Sequence, residues 1–191
     1  MGKHVEYRPE WVREDFIDFL AEKVNPLWAW KKSKARIVAK HHLSDDFVHM
    51  QLQPNHHFKA TDYQAGQSIL VTVLIGGVRW QRSYSIVEII ENGNLVIAVK
   101  QQGKVSNALT QQPVKSVVEI SQTQGEFVLK TQPHSALMIA SGSGITAIYA
   151  LIKAALKRPQ TVSNIDLIYF TRDDSFHAEL QQLTEHYPQF K

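Results

Sequence analysis

Residues 82–85, which read RSYS, place a cation, two hydroxyl groups and an aromatic ring side by side shortly after a turn signal. An arginine can pair with a phosphate, a tyrosine ring can lie against a flat heterocycle, and a serine hydroxyl can bond to a ring nitrogen. Side chains alternate along a strand, so Arg82 and Tyr84 share one face and Ser83 and Ser85 the other, unless the strand bends. The group suits a bound nucleotide with a flat ring better than a hydrolytic centre.

A glycine-rich segment provides a second set of candidate ligands. Residues 142–147, GSGITA, match the pattern G-x-G-x-x-A between a predicted strand and a predicted helix, where glycines let the backbone approach a pyrophosphate. The acidic residue that would bind a ribose belongs at the end of the next strand, but Asp166 lies at its start, and Thr171 and Arg172 occupy its end. The segment is therefore either part of a dinucleotide site or an ordinary turn.

A third candidate is GKVSN, residues 103–107, which forms a small-residue turn after the predicted strand 95–100. Consecutive backbone amides and the Ser106 hydroxyl can hold a phosphate in a concave turn. An ordinary surface loop is the alternative. No Ser/His/Asp arrangement and no pair of carboxylates stands out by motif.

Composition excludes several classes of site. The 191 residues contain no cysteine, which rules out disulfides, thiolate nucleophiles and cysteine-ligated metals within this chain, and no metal site is expected. A net charge of +3 is too mild to indicate nucleic-acid binding, and the basic cluster at 31–36 is interpreted as a solvated linker. No apolar run approaches the roughly 20 residues of a membrane helix and no signal-like segment follows Met1, so we expect a cytoplasmic protein without a transmembrane segment.

The elements that must position these residues begin with a predicted helical appendage at 1–34. Pro9 can open a helix, and apolar residues recur at helical spacing at Trp11, Phe16, Phe19, Leu20 and Val24. We expect this apolar face to pack on the rest of the protein.

Residues 35–133 read as strands. Alternating or β-rich runs occur at 48–52, 69–75, 78–80, 86–90, 95–100, 117–120 and 127–129, with hairpin signals at Gly76-Gly77 and Asn92-Gly93. About six strands with short turns, and no helix of matching length, predict an antiparallel barrel or sandwich.

Residues 134–191 predict the start of an α/β domain. The runs ALMIA (136–140) and IDLIYF (165–170) are continuously apolar, as expected for parallel strands buried on both faces, and a helical pattern follows each. Two parallel strands cannot form a covered sheet alone. We therefore expect this chain to be a fragment of a longer protein, or to form oligomers through the incomplete domain.

Together these motifs resemble the ferredoxin–NADP reductase family. The resemblance covers residues 35–191 and rests on motifs in the family's order: AGQ (65–67), RSYS, GKVSN, GEFVL (125–129), ASGSGIT (140–146), and LIYFTR (167–172) followed by FHAEL (176–180). It implies a mainly β plus α/β fold, with an antiparallel six-stranded FAD-binding barrel followed by a truncated Rossmann-like NAD(P)-binding domain. The sequence departs from the family at Ser141, where Gly is usual, and at Ala147, where Pro is usual.

The resemblance also implies roles for single residues. Arg82 would contact the FAD pyrophosphate or ribityl chain, Tyr84 would stack on the isoalloxazine, and Ser85 would hydrogen-bond near flavin N5, so Tyr84 and Ser85 are the candidate catalytic residues. Residues 103–106 would hold the pyrophosphate and residues 142–146 the nicotinamide nucleotide. The full cofactor-binding set is Arg82, Tyr84, Ser85, Lys100, Gly103, Lys104, Val105, Ser106, Gly142, Gly144, Thr146 and Arg172.

The implied activity is that of an NAD(P)H-dependent flavoprotein reductase. Electrons would pass from NAD(P)H through FAD to an iron–sulfur or haem partner such as a ferredoxin, an oxygenase or a desaturase. The segment VNPLWAW (24–30) is similar to the subgroup that carries a C-terminal [2Fe–2S] ferredoxin domain. The alternatives are an NAD(P)H:flavin reductase of the same fold and a non-catalytic flavin- or nucleotide-binding regulatory module.

Overall fold

The computed structural model describes residues 20, 23–28, 32–130, 134–157 and 163–191. Six strands come first: β1 (Lys34–His42), β2 (Phe47–Pro54), β3 (Ser68–Ile75), β4 (Val78–Ile89), β5 (Leu95–Lys100) and β6 (Val117–Ile120). They form a closed antiparallel barrel in the order β1-β2-β5-β4-β3-β6, and β6 pairs back onto β1. The predicted six-stranded barrel is confirmed.

Apolar side chains from every strand fill the inside of this barrel. Along β2 the alternate residues Val48, Met50 and Leu52 are buried, and β3 contributes Ile69 and Val71 in the same way. Each such side chain stabilises the fold by about 1.5–3 kcal/mol relative to exposure. Because the interior is filled, a ligand must bind on the outside of the barrel.

Strand β4 is longer than the sequence predicted, since it joins the runs at 78–80 and 86–90 through RSYS. It pairs with β3 from Val78 to Ser85 and with β5 from Ile86 onward, with a register shift between Ile86 and Glu88. In the described part of the chain, the edge of residues 78–85 that faces away from β3 has no strand partner. RSYS therefore lies beside an opening in the barrel wall.

Two local predictions are wrong. The residues after β5 form a helix, α1 (Lys104–Gln111), rather than a loop, because the buried positions Val105, Ser106, Leu109 and Thr110 give it an amphipathic face. Residues 127–129 are not a strand. Gly125 adopts φ +107° and Val128 N donates to Glu126 O, so the chain turns there instead of extending.

The α/β part contains β7 (Ser135–Ser141), α2 (Ile145–Leu156), β8 (Asn164–Phe170) and α3 (His177–His186), as the sequence predicted. Strands β7 and β8 are parallel and pair along their whole length. The C-terminal residues add a short parallel bridge to β8 between Ile165 and Phe190. The strands are nevertheless buried on one face only. Met138 and Ala140 are covered, whereas the opposite face is exposed at Leu137, Ile139, Ile168 and Phe170, so the predicted burial of both faces is wrong for the described residues.

The outer face of the barrel packs against this α/β part. Phe47, Val87 and Ala98 point outward from β2, β4 and β5 and share an apolar cluster with α2 and with Phe176. The barrel and the α/β part therefore share an apolar interface, and RSYS lies beside Val87 of that interface.

Most of the predicted N-terminal helix lies outside the described residues. At the described positions Leu20 and Val24 the side chains are exposed, so the expected packing of these two residues is not found. Lys34 is buried and its ammonium donates to the carbonyls of Pro26 and Trp28 at 3.2 Å, so this member of the basic cluster is not solvated. Among the described residues, no helix is long and apolar enough to cross a membrane.

Candidate functional site

A cleft of about 360 Å³ opens where β4, the start of α1 and the glycine-rich segment meet, and we call it the first cleft. It brings the three predicted motifs together. Its lining residues are Trp80, Arg82, Ser83, Tyr84, Ser85, Ala98, Lys100, Gln102, Gly103, Lys104, Val105, Ser106, Ser143, Gly144 and Thr146. Every residue of the predicted cofactor-binding set lies here except Gly142 and Arg172.

Arg82 and Tyr84 present different chemistry to this cleft. The Arg82 side chain is exposed, its Nη1 donates to Gln81 O at 2.8 Å, and no acidic side chain of the described residues pairs with it. The Tyr84 ring packs against the barrel core, and its buried hydroxyl has no hydrogen-bond partner within the described ranges. Burial raises the pKa of Tyr84 to about 12, so this hydroxyl stays protonated. The pair offers a free cation beside a neutral ring.

The backbone behind Ser85 is held on both sides. Ser85 lies opposite Ser68 of β3, and the next residue, Ile86, donates its N–H to Gln67 O at 3.0 Å. The Tyr63 hydroxyl donates to Ile86 O at 2.9 Å. Ser85 therefore sits on a fixed backbone at the point where β4 changes partner.

The N-terminus of α1 also lines the first cleft. The Ser106 hydroxyl accepts hydrogen bonds from the backbone N–H of Gly103 (3.1 Å) and Gln102 (3.2 Å), so it caps the helix. The amides of the first helical turn have no intrahelical partner and carry the positive end of the helix dipole. They can bind an anion. At the other end, Lys40 donates to the carbonyls of Thr110 and Gln112, both at 2.9 Å, which fixes the position of α1.

The glycine-rich segment enters the cleft from the α/β side. Gly142–Gly144 form a single 3-10 turn between β7 and α2. Gly142 has φ +51°, a left-handed conformation that suits glycine. The Thr146 hydroxyl donates to Ser143 O at 2.9 Å, so it stabilises the turn.

Gly142 and Arg172 lie together in a neighbouring second cleft of about 710 Å³. It is lined by Asp46, Lys100, Gln102, Ser141, Gly142, Phe170, Thr171, Arg172 and Asp173. Arg172 is exposed there. Lys100 lines both clefts, and its ammonium contacts the carboxylates of Asp173 (3.0 Å) and Asp46 (3.3 Å).

Trp80 is a site residue that the sequence reasoning missed. It lies on the same face of β4 as Arg82, two residues earlier, and its indole N–H is buried without a hydrogen-bond partner among the residues described. The Lys104 ammonium lies 4.5 Å from the centroid of its ring. The two-residue spacing from Arg82 was a signal for Trp80 once β4 was treated as one continuous strand.

The first cleft fits an anionic dinucleotide. Arg82 and Lys104 line it, and no carboxylate of the described residues does, whereas the third cation, Lys100, is paired with Asp46 and Asp173 of the second cleft. A Cβ added at Gly103 or Gly144 would meet no atom of the described residues within 4 Å apart from the adjoining chain, so open space lies beside both residues. With cations, first-turn amides and a half-buried tyrosine ring, the lining has what a flavin dinucleotide requires.

Comparison with known proteins agrees with this chemistry. The model of the "Oxidoreductase FAD-binding domain" family matches residues 34–129. A flavohemoprotein of Burkholderia sp. (strain TH2) is 28% identical over 177 residues, which cover 89% of this chain and 44% of that protein. An NADPH oxidoreductase of Mycobacterium tuberculosis (strain ATCC 25618 / H37Rv) is 30% identical over 179 residues, which cover 87% of this chain and 46% of that protein.

A solved structure shows the same fold. The flavohemoglobin of Malassezia yamatoensis, with bound FAD and heme, superposes with a TM-score of 0.75 at 22% identity, over 84% of this chain and 44% of that one. The chain spans somewhat less than half the length of the curated relatives named above. From the family match and from the residues of the first cleft, we conclude that the chain belongs to the oxidoreductase FAD-binding domain family, as its resemblance to the ferredoxin–NADP reductases predicted.

Proposed function

We propose that this chain is the FAD-binding part of an NAD(P)H-dependent reductase that passes electrons to a haem or iron–sulfur partner. The observation that carries the proposal is the convergence of RSYS, the N-terminus of α1 and the glycine-rich turn on one cleft. A flavin site alone would need only the first two. The third places a nucleotide-type turn beside them, as transfer from a nicotinamide requires.

In this proposal FAD supplies the redox chemistry, since a flavin accepts a hydride from NAD(P)H and passes electrons on singly. The chain binds and orients it. Arg82 and the first-turn amides of α1 bind the pyrophosphate, because charge-assisted hydrogen bonds are the strong ones. The Tyr84 ring lies against the isoalloxazine, and the Ser85 hydroxyl donates a hydrogen bond near N5.

The nicotinamide nucleotide is proposed to bind across both clefts. Gly144 and Thr146 line the first cleft, and Gly142 and Arg172 line the second. The nicotinamide ring would reach the flavin at the first cleft, and the remainder of the nucleotide would extend toward the Arg172 guanidinium. Comparison of the rates of flavin reduction by NADPH and by NADH distinguishes the preferred nucleotide.

The acceptor class rests on the relatives. Two of them carry haem in their names, a flavohemoprotein and a flavohemoglobin. The finer identification of the acceptor as a ferredoxin, an oxygenase or a desaturase stays a prediction. So do the cytoplasmic location, the oligomeric state and the domain limits at 34/35 and 133/134.

The proposal is tested in two steps on the purified chain. The visible absorption spectrum after incubation with FAD and gel filtration measures retained flavin, for which we expect one equivalent. Anaerobic stopped-flow mixing with NADPH and then NADH measures reduction, for which we expect saturable kinetics with at least one nucleotide.

Each alternative gives a different result. Flavin that leaves the protein on reduction would indicate an NAD(P)H:flavin reductase. Retained flavin that neither nucleotide reduces would indicate a regulatory module. A colourless chain that gains no flavin spectrum would overturn the proposal altogether.

A further inference from the structure

One side chain, Lys100, lies at the point where the two clefts meet. It ends β5 and contacts Asp46, which immediately precedes β2, and Asp173, which follows β8. The contact with Asp173 joins residues 73 positions apart. It therefore links the barrel directly to the segment 171–176 of the α/β part.

The charges in this group argue against a phosphate ligand at Lys100. One ammonium lies between two carboxylates, so the group is net negative and repels an anion. The side chains of Lys100, Asp46 and Asp173 are 19%, 37% and 24% exposed, so salt screens their attraction less than it would on an open surface. To bind a phosphate, Lys100 would have to leave both carboxylates.

Lys100 and Asp173 are both held in their charged forms. Burial opposes the charge on Lys100, but hydrogen bonds to Asp173 and Asp46 outweigh it and raise its pKa. Hydrogen bonds from Ser175, together with Lys100, lower the pKa of Asp173 to about 2. The ion pair is therefore intact at neutral pH.

Other contacts hold segment 171–176 against the same face of the barrel. The Ser175 and Ser44 hydroxyls are 3.0 Å apart, within hydrogen-bond distance. The Phe176 ring is fully buried and lies edge-on to Phe47, with 5.8 Å between centroids. Phe176 adopts φ +65°, a left-handed conformation that is rare for a bulky residue and persists only where packing enforces it. Arg172 therefore belongs to a segment docked on the barrel.

We propose that Lys100 is a positioning residue that ties segment 171–176 to the barrel and so sets the alignment of the nicotinamide nucleotide with the flavin. The inference rests on the proposed function and deepens it. Lys100 contributes little to FAD affinity. Its removal lets segment 171–176 move, and a misplacement of about 1 Å at reacting groups can lower a rate about 100-fold.

The test uses the flavin-loaded chain with four variants. Lys100→Gln and Asp173→Asn each remove the ion pair between Lys100 and Asp173. The double variant removes the same pair and no further one, and Lys100→Arg keeps a cation at this position. The control is Glu119→Gln, which removes the carboxylate of an ion pair with Arg79. This pair joins two strands of the barrel and lies outside both clefts. The measurements are the FAD Kd by fluorescence titration and the limiting rate of flavin reduction at saturating nucleotide.

We expect Lys100→Gln and Asp173→Asn each to lower the limiting reduction rate about 10–100-fold. FAD affinity should change by no more than about twofold, as for groups that do not contact the ligand. The double variant should be no slower than either single variant, Lys100→Arg should recover most of the rate, and Glu119→Gln should resemble the parent. A higher FAD Kd in Lys100→Gln, combined with an unchanged or lower FAD Kd in Asp173→Asn, would identify Lys100 as a phosphate ligand and overturn the inference.

A second readout does not depend on the activity. Amide hydrogen exchange in the apo chain should accelerate at residues 171–176 in Lys100→Gln and in Asp173→Asn, while the barrel strands keep the protection of the parent. Unchanged amide exchange at residues 171–176 would show that Lys100 does not hold this segment against the barrel, even if the enzyme is active. If the parent chain is not reduced by either nucleotide, the proposed function fails, and the exchange experiment still decides whether Lys100 holds the segment.

Discussion

Replacing Gly66 by alanine tests the packing that joins the barrel to the α/β part. Gly66 has φ +94°, and an added Cβ would lie 1.9 Å from the Phe127 carbonyl oxygen and 3.0 Å from a methyl group of Leu151. The methyl group and the oxygen would have to separate by about 1.5 Å to reach the 3.4 Å of ordinary contact. The carbonyl belongs to the backbone, so it cannot yield by changing a rotamer. The segment 125–129 has to move away from the barrel.

Two costs add in Gly66→Ala. A residue other than glycine at a positive φ costs about 1–3 kcal/mol. Forcing an extra methyl group into a packed site costs about 1–3 kcal/mol more. Gly125→Ala is the matched control, because Gly125 has φ +107° but nothing within 4 Å of its Cβ position, so it carries the first cost alone. We expect Gly66→Ala to destabilise the chain by about 2–6 kcal/mol and Gly125→Ala by about 1–3 kcal/mol.

Urea unfolding of the two apo variants, followed by circular dichroism, measures the difference in the free energy of unfolding. At about 2–4 °C per kcal/mol, thermal melting should separate them by several degrees as well. If Gly66→Ala is no less stable than Gly125→Ala, the close approach of Phe127 to Gly66 does not exist in solution.

Three further predictions concern the site and its boundary. Arg82→Ala should weaken FAD binding by about 1.5–3 kcal/mol, and equal Kd values for the parent and Arg82→Ala in a fluorescence titration would remove Arg82 from the site. Tyr84→Ala should also weaken FAD binding, whereas Tyr84→Phe should have a mild effect because stacking needs only the ring. Gly103→Val should lower FAD affinity because φ −169° is extended backbone and the side chain would enter open space. The apo melting temperature should fall by only a few degrees, since valine is a poorer N-cap residue than glycine by about 1 kcal/mol; a larger fall in the apo form would contradict this. Burial, with repulsion from His41, lowers the pKa of His49 to about 4. The unfolded chain therefore binds the proton first, and stability should fall as the pH drops from about 6.5 to 4. His49→Leu should flatten that pH dependence in urea titrations.

The parts of the fold that sequence predicted are those encoded locally. Hairpin signals at Gly76-Gly77 and Asn92-Gly93 fix the joins between β3, β4 and β5, and alternating apolar residues fix which face points inward. Helix α1 was missed because eight residues carry only two turns of periodicity, too few to distinguish from a loop. The β-rich composition of residues 127–129 predicts a strand, because composition alone does not show that Gly125 turns the chain.

The site was predictable as a set of motifs, but the partners of its side chains were not. Ser106 reads as a phosphate ligand by residue type, yet its hydroxyl caps α1. Lys100 is predicted as a cofactor-binding residue, yet its ammonium contacts two carboxylates that are distant in the sequence. Such pairings depend on tertiary contacts, which a single sequence read for local patterns does not contain.

The closure of the barrel also sets the order in which this chain can fold. Strand β1 finds one of its two partners, β2, a few residues away, but the other, β6, begins only at Val117. At a synthesis rate of roughly 5–20 residues per second, β6 follows β1 from the ribosome by roughly 4–16 s. Helix α1, whose N-terminus lines the first cleft, emerges before that closing strand. The nascent chain therefore carries an unfinished barrel beside the first cleft until β6 arrives, and we expect FAD to bind only once nearly all of residues 34–120 have been made.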